Sequence, residues 1–342
     1  MHHEDHHRRL VSSDLQSSTC VNAIVINIDT HDGTSKSFKK VDLTGGGGRR
    51  LFVQNTAEDY DFWYGEDSDD GSTFNYLDMN GKVQGSLVDL TTQEIMQFRS
   101  DTSGEIIVTI TNASDFNPEL DPNNEIRQSI LGVLQKDEIH SKIFNNYRPP
   151  SVTNPSLYLR KMESSTQAQA TTLFHPPMIQ PTFSSRNLNV YDDNGGNLDV
   201  MIPWTELAEC NNAGLAAGCN VTSDTYESMM ALVNLAVEET NVAYQMSGVN
   251  TQLLLVHAYR IDGYVEEGFE TTLSKLQSGA ITGVHQNRES YGADIVALIM
   301  SDPQYCGLGY IGPARTLMYS ATAYNCATGY LTLGHEIGHN LG

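Results

Sequence analysis

The sequence predicts an α+β chain in which a β-rich N-terminal domain precedes an α/β domain with a twisted, mostly parallel sheet. Three observations support this division. Strand patterns and turns fill residues 1–145, a segment rich in Pro, Ser and Thr follows at 146–187, and strand and helix patterns alternate from 188 to 342. Such alternation is typical of a parallel sheet that is covered by helices.

Strands in the N-terminal half are predicted from alternating apolar residues and from turn residues. Residues 21–28 alternate, and further strands are expected at 86–90, 95–99 and 106–110. Between two strand patterns lies Asn80-Gly81, the favoured pair for a type I′ hairpin turn.

The first helix predicted in the C-terminal half is a long one. Thr222-Ser223-Asp224 offers an N-cap, and apolar residues at helical spacing predict a helix over 226–246. The elements expected after it are a buried strand at 252–261, short helices at 271–276 and 285–291, and an apolar strand at 293–300.

Composition excludes some partners. The 342 residues include 42 acidic and 20 basic side chains, for a formal net charge of −22, so nucleic acid and anionic membrane surfaces should repel the chain. No apolar run of about 18 residues predicts a membrane span. The polar N-terminus contains no visible signal peptide, although the acceptor sequons at Asn112 and Asn220 fit an extracellular route. The oligomeric state cannot be predicted from these features.

The five cysteines form no metal-binding spacing. Cys210 and Cys219 are separated by a short loop that suits a disulfide, and Cys306 and Cys326 flank a segment that suits another. Cys20 is left over, either free or paired beyond this chain. Disulfides persist in oxidising compartments, so the pattern favours a secreted protein.

Residues 335–342 read His-Glu-Ile-Gly-His-Asn-Leu-Gly. On a helix, His335 and His339 lie on one face, where both imidazoles can bind one Zn²⁺, and Glu336 lies beside them. Thr328 is a candidate N-cap for this helix. The apolar side chains expected to face a core are Leu331, Ile337 and Leu341.

Gly342 indicates the subclass of the zinc motif. A glycine three residues after the second histidine allows a turn with positive φ that ends the helix, and the segment resembles the metzincin signature H-E-x-x-H-x-x-G-x-x-H. That resemblance implies a third histidine ligand three residues after Gly342 and a methionine turn further on. The chain is therefore expected to be a C-terminally truncated piece of a longer precursor, with little activity of its own.

The resemblance extends beyond the motif. Residues 292–299 look like the central strand of reprolysin-like (adamalysin-type) peptidases, and residues 306–310 look like their edge strand. Residues 324–329 are also similar to bacterial peptidyl-Asp metalloendopeptidases. The resemblance covers about residues 188–342 and implies a metzincin-like catalytic domain with long helices and a zinc helix, preceded by a propeptide-like domain.

The resemblance also implies an activity, that of a zinc metalloendopeptidase. Glu336 would be the general base for a metal-activated water that attacks a peptide bond of a protein substrate. Gly307, Leu308, Gly309 and Tyr310 would form an edge that pairs with the substrate, although the two glycines fit a plain tight turn equally well.

Two alternatives remain open at this stage. One is a non-catalytic binding protein on a zincin scaffold, and the other is a thermolysin-like zincin with a downstream Glu ligand. The residue encoded three codons after Gly342 separates them from the metzincin. A thiolate switch at Cys20 is disfavoured, because its neighbouring residues do not resemble metzincin switch sequences.

Overall fold

The computed structural model describes residues 25–29, 35–41, 60–101, 103–116, 197–216 and 218–342. All of these fall within one compact unit. Cys20, the linker predicted at 146–187 and part of the strand predicted at 21–28 lie outside the described residues. The domain boundaries at 145 and 187 therefore remain predictions.

The first sheet is an antiparallel meander in which each strand pairs with the next along the chain. Its strands are β1 (Val25–Asp29), β2 (Ser35–Lys40), β3 (Asp61–Asp67), β4 (Thr73–Met79), β5 (Lys82–Asp89), β6 (Glu94–Ser100) and β7 (Ile106–Asn112). Between β4 and β5, Asn80 and Gly81 have φ values of 54° and 83°, which confirms the predicted type I′ turn.

The second sheet is mostly parallel, as predicted. Its strands are β8 (Leu198–Thr205), β9 (Leu253–Ile261), β10 (Ile295–Met300), β11 (Gly307–Gly309) and β12 (Tyr319–Ala323). Their order in the sheet is β11-β12-β10-β8-β9, in which only β11 runs antiparallel to its neighbour.

Five α-helices are present among the described residues. The longest helix, Ser223–Met246, has Thr222 as N-cap within a capping box and begins three residues earlier than predicted. None of the described helices is both long and apolar enough to cross a membrane. The helices are α1 (Glu206–Asn212), α2 (Ser223–Met246), α3 (Phe269–Ser278), α4 (Val284–Tyr291) and α5 (Thr332–Leu341).

The largest core joins the two sheets around helix α2. Side chains of β8, β10, α2 and α5 form most of this core, and Leu77 and Met79 of β4 belong to the same cluster. Both residues are fully buried. The first sheet is therefore packed against α2 rather than attached by a linker alone, and burial of its apolar face stabilises the whole unit.

Two predictions about helix α5 were wrong. The helix begins at Thr332, with Leu331 as N-cap at φ 61° and no side-chain cap, so Thr328 is not its N-cap. The Thr328 hydroxyl instead accepts a hydrogen bond from Gln97. Leu331 is 38% exposed rather than part of the core, because its left-handed backbone belongs to the turn before the helix. Ile337 is buried as predicted.

Candidate active site

Helix α5 carries His335 and His339 on its outer face. His335 is exposed and His339 is half-buried. Their Nε2 atoms are 2.9 Å apart, and the rings are nearly perpendicular with centroids 4.6 Å apart. Two nitrogens this close can both lie within about 2.0–2.1 Å of one zinc ion, the usual Zn–N distance. The pair therefore fits two positions of a zinc site.

A zinc site needs more than these two nitrogens. Catalytic zinc is usually held by three protein ligands and keeps one open position. Among the described residues no group of three or more His, Cys, Asp or Glu side chains is placed to hold a metal. The described residues thus bring together two nitrogen donors, those of His335 and His339, on one face of α5.

Glu336 is the neighbour of His335 on α5 and is buried, with an exposed fraction of 2%. Its side chain is packed against the glycines of β11. A Cβ atom added at Gly307 would lie 2.5 Å from Oε1 of Glu336, and one added at Gly309 would lie 2.9 Å from Oε2. These glycines are therefore required by close approach of the carboxylate, and not by a positive φ.

Residues 307–309 form a strand at the edge of the second sheet and not a tight turn. Gly307 is paired with Thr322, and Gly309 with Ser320, in antiparallel register. Tyr310 follows with a buried ring, and this burial raises the pKa of its hydroxyl to about 12. The structure thus brings the predicted edge segment and Glu336 together.

Asn340 fixes the C-terminal end of α5. Its side chain is fully buried, and its Nδ2 group lies 2.7 Å from the Tyr310 carbonyl oxygen and 3.1 Å from those of Leu317 and Tyr319. Sequence reasoning missed this role. The only available signal was an amide side chain within an otherwise apolar helix face next to His339.

The opposite side of α5 is held by helix α2. The Tyr244 hydroxyl donates to the Gly334 carbonyl at 3.0 Å, and a Cβ added at Gly334 would lie 2.9 Å from Cγ2 of Thr240. Glycine at this position therefore lets two helices approach closely. Together, α2 and β11 fix the orientation of the histidine-bearing face.

Both predicted cysteine pairs lie at disulfide geometry. Cys210 and Cys219 have Cα atoms 5.8 Å apart, and Cys306 and Cys326 have Cα atoms 5.4 Å apart. The second disulfide links the start of β11 to the turn that precedes α5. It thus connects the edge strand covalently to the segment that leads into the histidine helix.

The segment that leads into α5, residues 324–330, is also held by the first sheet. Gln97 on β6 donates to the carbonyl oxygens of Asn325 and Thr328 at 3.0 and 2.8 Å. The aromatic rings of Phe116 and Tyr330 are stacked with centroids 4.5 Å apart. No motif in the sequence indicated these contacts.

Glu239 on α2 joins the same segment to the first sheet. It is 2% exposed and accepts hydrogen bonds from the Ser86 hydroxyl at 2.5 Å and the Gly329 backbone N–H at 2.7 Å. Burial raises the pKa of this carboxyl to about 7. The next residue, Glu238, accepts from the Tyr60 hydroxyl at 2.6 Å, and burial raises its pKa as well.

Two histidines one helical turn apart, with a glutamate next to the first, form the arrangement that is typical of HExxH metallopeptidases. Residues 230–342 match the family model of the M12B reprolysin-like metallopeptidases. Over this range the chain is similar to the reprolysin-like metallopeptidases.

The chain is also similar in sequence to curated bacterial peptidases. The chain is 38% identical over 117 residues to a peptidyl-Asp metalloendopeptidase of Stenotrophomonas maltophilia, covering 33% of this chain and 28% of the relative. It is 33% identical over 162 residues to one from Pseudomonas aeruginosa, covering 42% and 24%. The chain thus spans about a quarter of the length of these curated relatives.

Metalloproteinase-II from Bacteroides fragilis is similar at a TM-score of 0.39 and 12% identity, covering 90% of this chain and 77% of that one. A TM-score this low supports no conclusion about this chain.

Proposed function

We propose that this chain is part of a secreted zinc metalloendopeptidase in which His335 and His339 supply two metal ligands and Glu336 is the general base. The observation that carries the proposal is the placement of Glu336, buried between the β11 glycines and the helix that presents both histidines. The third ligand would come from a histidine after Gly342, as in the metzincin signature.

When bound, the zinc ion would activate a water and stabilise negative charge on the attacked carbonyl. Glu336 would take the proton from the attacking water and return it to the leaving amine. Its carboxylate packs closely against Gly307 and Gly309, and such packing would limit the reorganisation needed during proton transfer.

Strand β11 would hold the substrate in an extended conformation. It ends the strand order of its sheet, and an extended peptide can add to such an edge through main-chain hydrogen bonds. The substrate would therefore cross α5 next to Glu336. This geometry favours peptide hydrolysis over a purely binding role, because the edge and the proton acceptor are adjacent.

The N-terminal sheet would be part of a propeptide-like domain of a zymogen. Its position in the chain ahead of the peptidase domain supports this assignment. The two disulfides support an extracellular location, because such bonds persist in oxidising compartments.

The mechanism is tested with Glu336→Gln in the protein expressed from the complete reading frame. We expect peptide hydrolysis to fall by about 10³-fold or more, because a general base contributes about 10²–10⁴-fold, and a chelator should abolish wild-type hydrolysis. Glu267→Gln, which changes an exposed carboxylate, is the control. Unchanged hydrolysis in Glu336→Gln would exclude Glu336 as the general base, and an absence of hydrolysis in the wild type would favour the non-catalytic zincin scaffold.

Metal binding is tested separately on this chain by titration with zinc. His339→Ala should weaken zinc binding by about tenfold or more, because the remaining histidine cannot chelate. His285→Ala, which removes a ring bonded to the Leu276 carbonyl, should leave the affinity unchanged. Equal zinc affinity in His339→Ala would exclude the proposed ligand pair.

The relatives are named as peptidyl-Asp metalloendopeptidases, which suggests a substrate panel. Peptides that contain Asp and matched peptides with Asn at the same position are compared by mass spectrometry. Preferential cleavage beside Asp would assign the same preference to this protein, and equal cleavage of both sets would reject it.

A further inference from the structure

A polar cavity lies between the first sheet and the parts of the peptidase domain around α1 and residues 324–328. Its volume is about 330 Å³. The proposed peptidase mechanism makes no use of it. Among the described residues that line it, Arg99 of β6 is the only charged side chain, and no carboxylate is present. In a chain with a net charge of −22, such a lining is unexpected.

No close ion pair joins the Arg99 guanidinium to an acid in the described part of the chain, although the charge of Asp101 raises its pKa and opposes the larger effect of burial. Its Nε atom is buried and has no hydrogen-bond acceptor. The nearby acid Asp101 is engaged elsewhere, because its Oδ1 accepts from Ser103 and Glu105 in its own turn. Burial lowers the pKa of Arg99. A guanidinium that is partly desolvated and has no paired carboxylate is costly, and an anion bound in the cavity through the terminal N–H groups would offset part of this cost.

Neutral polar groups surround the guanidinium. Gln97 lies opposite Thr109 in the register of β6 and β7, and directly opposed side chains share one face of a sheet. Thr111 is two residues further along β7 and lies on that same face. These hydroxyls can donate to an oxyanion. The buried side chain of Leu232 and the half-exposed side chain of Leu215 add an apolar wall.

We propose that this cavity binds a small organic monocarboxylate, with the carboxylate on Arg99 and a short apolar group against Leu232 and Leu215. A guanidinium matches a carboxylate through two parallel N–H···O bonds. One positive charge balances a monoanion better than a doubly charged phosphate. The apolar wall favours an organic acid over an inorganic ion. Because Gln97 and Thr328 also line the cavity, the bound anion would stabilise the contact between the first sheet and the segment before α5.

The test is calorimetric titration of the whole chain with sodium propionate at constant ionic strength. We expect a Kd on the order of 1 mM, typical of a few charge-assisted hydrogen bonds. At ten times that concentration the melting temperature should rise by about 3 °C relative to chloride. A parallel titration uses sodium phosphate. Tighter binding of phosphate than of propionate would overturn the proposed ligand class.

Arg99→Met should abolish propionate binding and should fold well, because it removes a desolvated charge. Arg99→Lys keeps the charge without the planar fork and should weaken binding by about tenfold. Arg315→Met, which changes an exposed arginine paired with Glu289, should bind propionate normally. No propionate binding to the wild type, or equal binding to Arg99→Met, would overturn the proposal. The readout is independent of peptidase activity.

Discussion

Helix α5 is fixed by different means at its proposed catalytic face, where Glu336 packs against β11, and at residues 324–330, the segment that leads into it. At the catalytic face, Glu336 fits against β11 because Gly307 and Gly309 have no side chains. At the leading segment, Gln97 of β6 donates to the carbonyl oxygen of Thr328 across a sequence separation of 231 residues. The first contact depends on two residues without side chains in the second sheet, and the second depends on a polar side chain of the first sheet.

This difference predicts that substitutions at the two places have different effects on activity and on stability. A change at β11 should displace the carboxylate while the fold survives. A substitution in the first sheet should weaken the contacts that hold residues 324–330, while the histidines and Glu336 keep their local geometry. Activity and stability are therefore expected to respond independently to substitutions at the two places.

The largest expected effect is at the catalytic face. In Gly307→Ala, the new Cβ would lie 2.5 Å from Oε1 and 2.6 Å from Cγ of Glu336, so the carboxylate must move. Displacement of a catalytic group by about 1 Å can cost on the order of 10²-fold in rate. The measurement is kcat/KM for peptide hydrolysis by the protein from the complete reading frame.

Gly338→Ala is the matched control for this experiment, because a Cβ there would meet nothing within 4 Å and alanine favours the helix. Its activity and stability should equal or exceed those of the wild type. If Gly307→Ala retained full activity, Glu336 would not need its observed position, and the contrast between the two regions would disappear.

The second-largest expected effect is a pH dependence of stability caused by Glu239, which joins residues 324–330 to the first sheet. Its pKa in the folded state is raised to about 7 by burial, from 4.5. A carboxyl with a raised folded pKa favours folding in its neutral form, so stability should decline as pH rises from about 4.5 to 7. A shift of this size corresponds to about 3 kcal/mol, measured by denaturant unfolding at pH 5 and pH 8.

Glu239→Gln removes this titration and keeps a side chain that can bond Ser86 and Gly329. The difference in unfolding free energy between pH 5 and pH 8 should therefore shrink in the variant. Glu238, whose pKa is also raised by burial, remains in both proteins, so comparison with the wild type isolates Glu239. An identical pH dependence in the two proteins would show that Glu239 stays ionised throughout.

The same contrast explains how much could be predicted from the sequence. The type I′ turn, the mostly parallel sheet and the histidine helix were predictable, because turn residues, apolar periodicity and a short motif encode them locally. The two glycines of β11 could be identified as an edge, but their contact with Glu336 depends on packing between α5 and the sheet.

The contacts of the leading segment could not be predicted. Thr328 has the side chain of an N-cap, yet its hydroxyl accepts from Gln97, since tertiary contacts override local preference. Asn340 and Glu239 are common residue types with no distinctive spacing. Their roles appear only when distant strands place carbonyls or hydroxyls within reach.

The smallest expected effect is at Gln97. Gln97→Ala removes the hydrogen bonds to the carbonyl oxygens of Asn325 and Thr328 and should lower the unfolding free energy by about 1 kcal/mol, typical of such bonds. Gln277→Ala, which loses one exposed bond to the Thr316 carbonyl, should have little effect. In the protein from the complete reading frame, kcat/KM should change far less for Gln97→Ala than for Gly307→Ala. A comparable loss of activity in both would mean that the leading segment sets the position of Glu336 directly, and that the catalytic face depends on the first sheet.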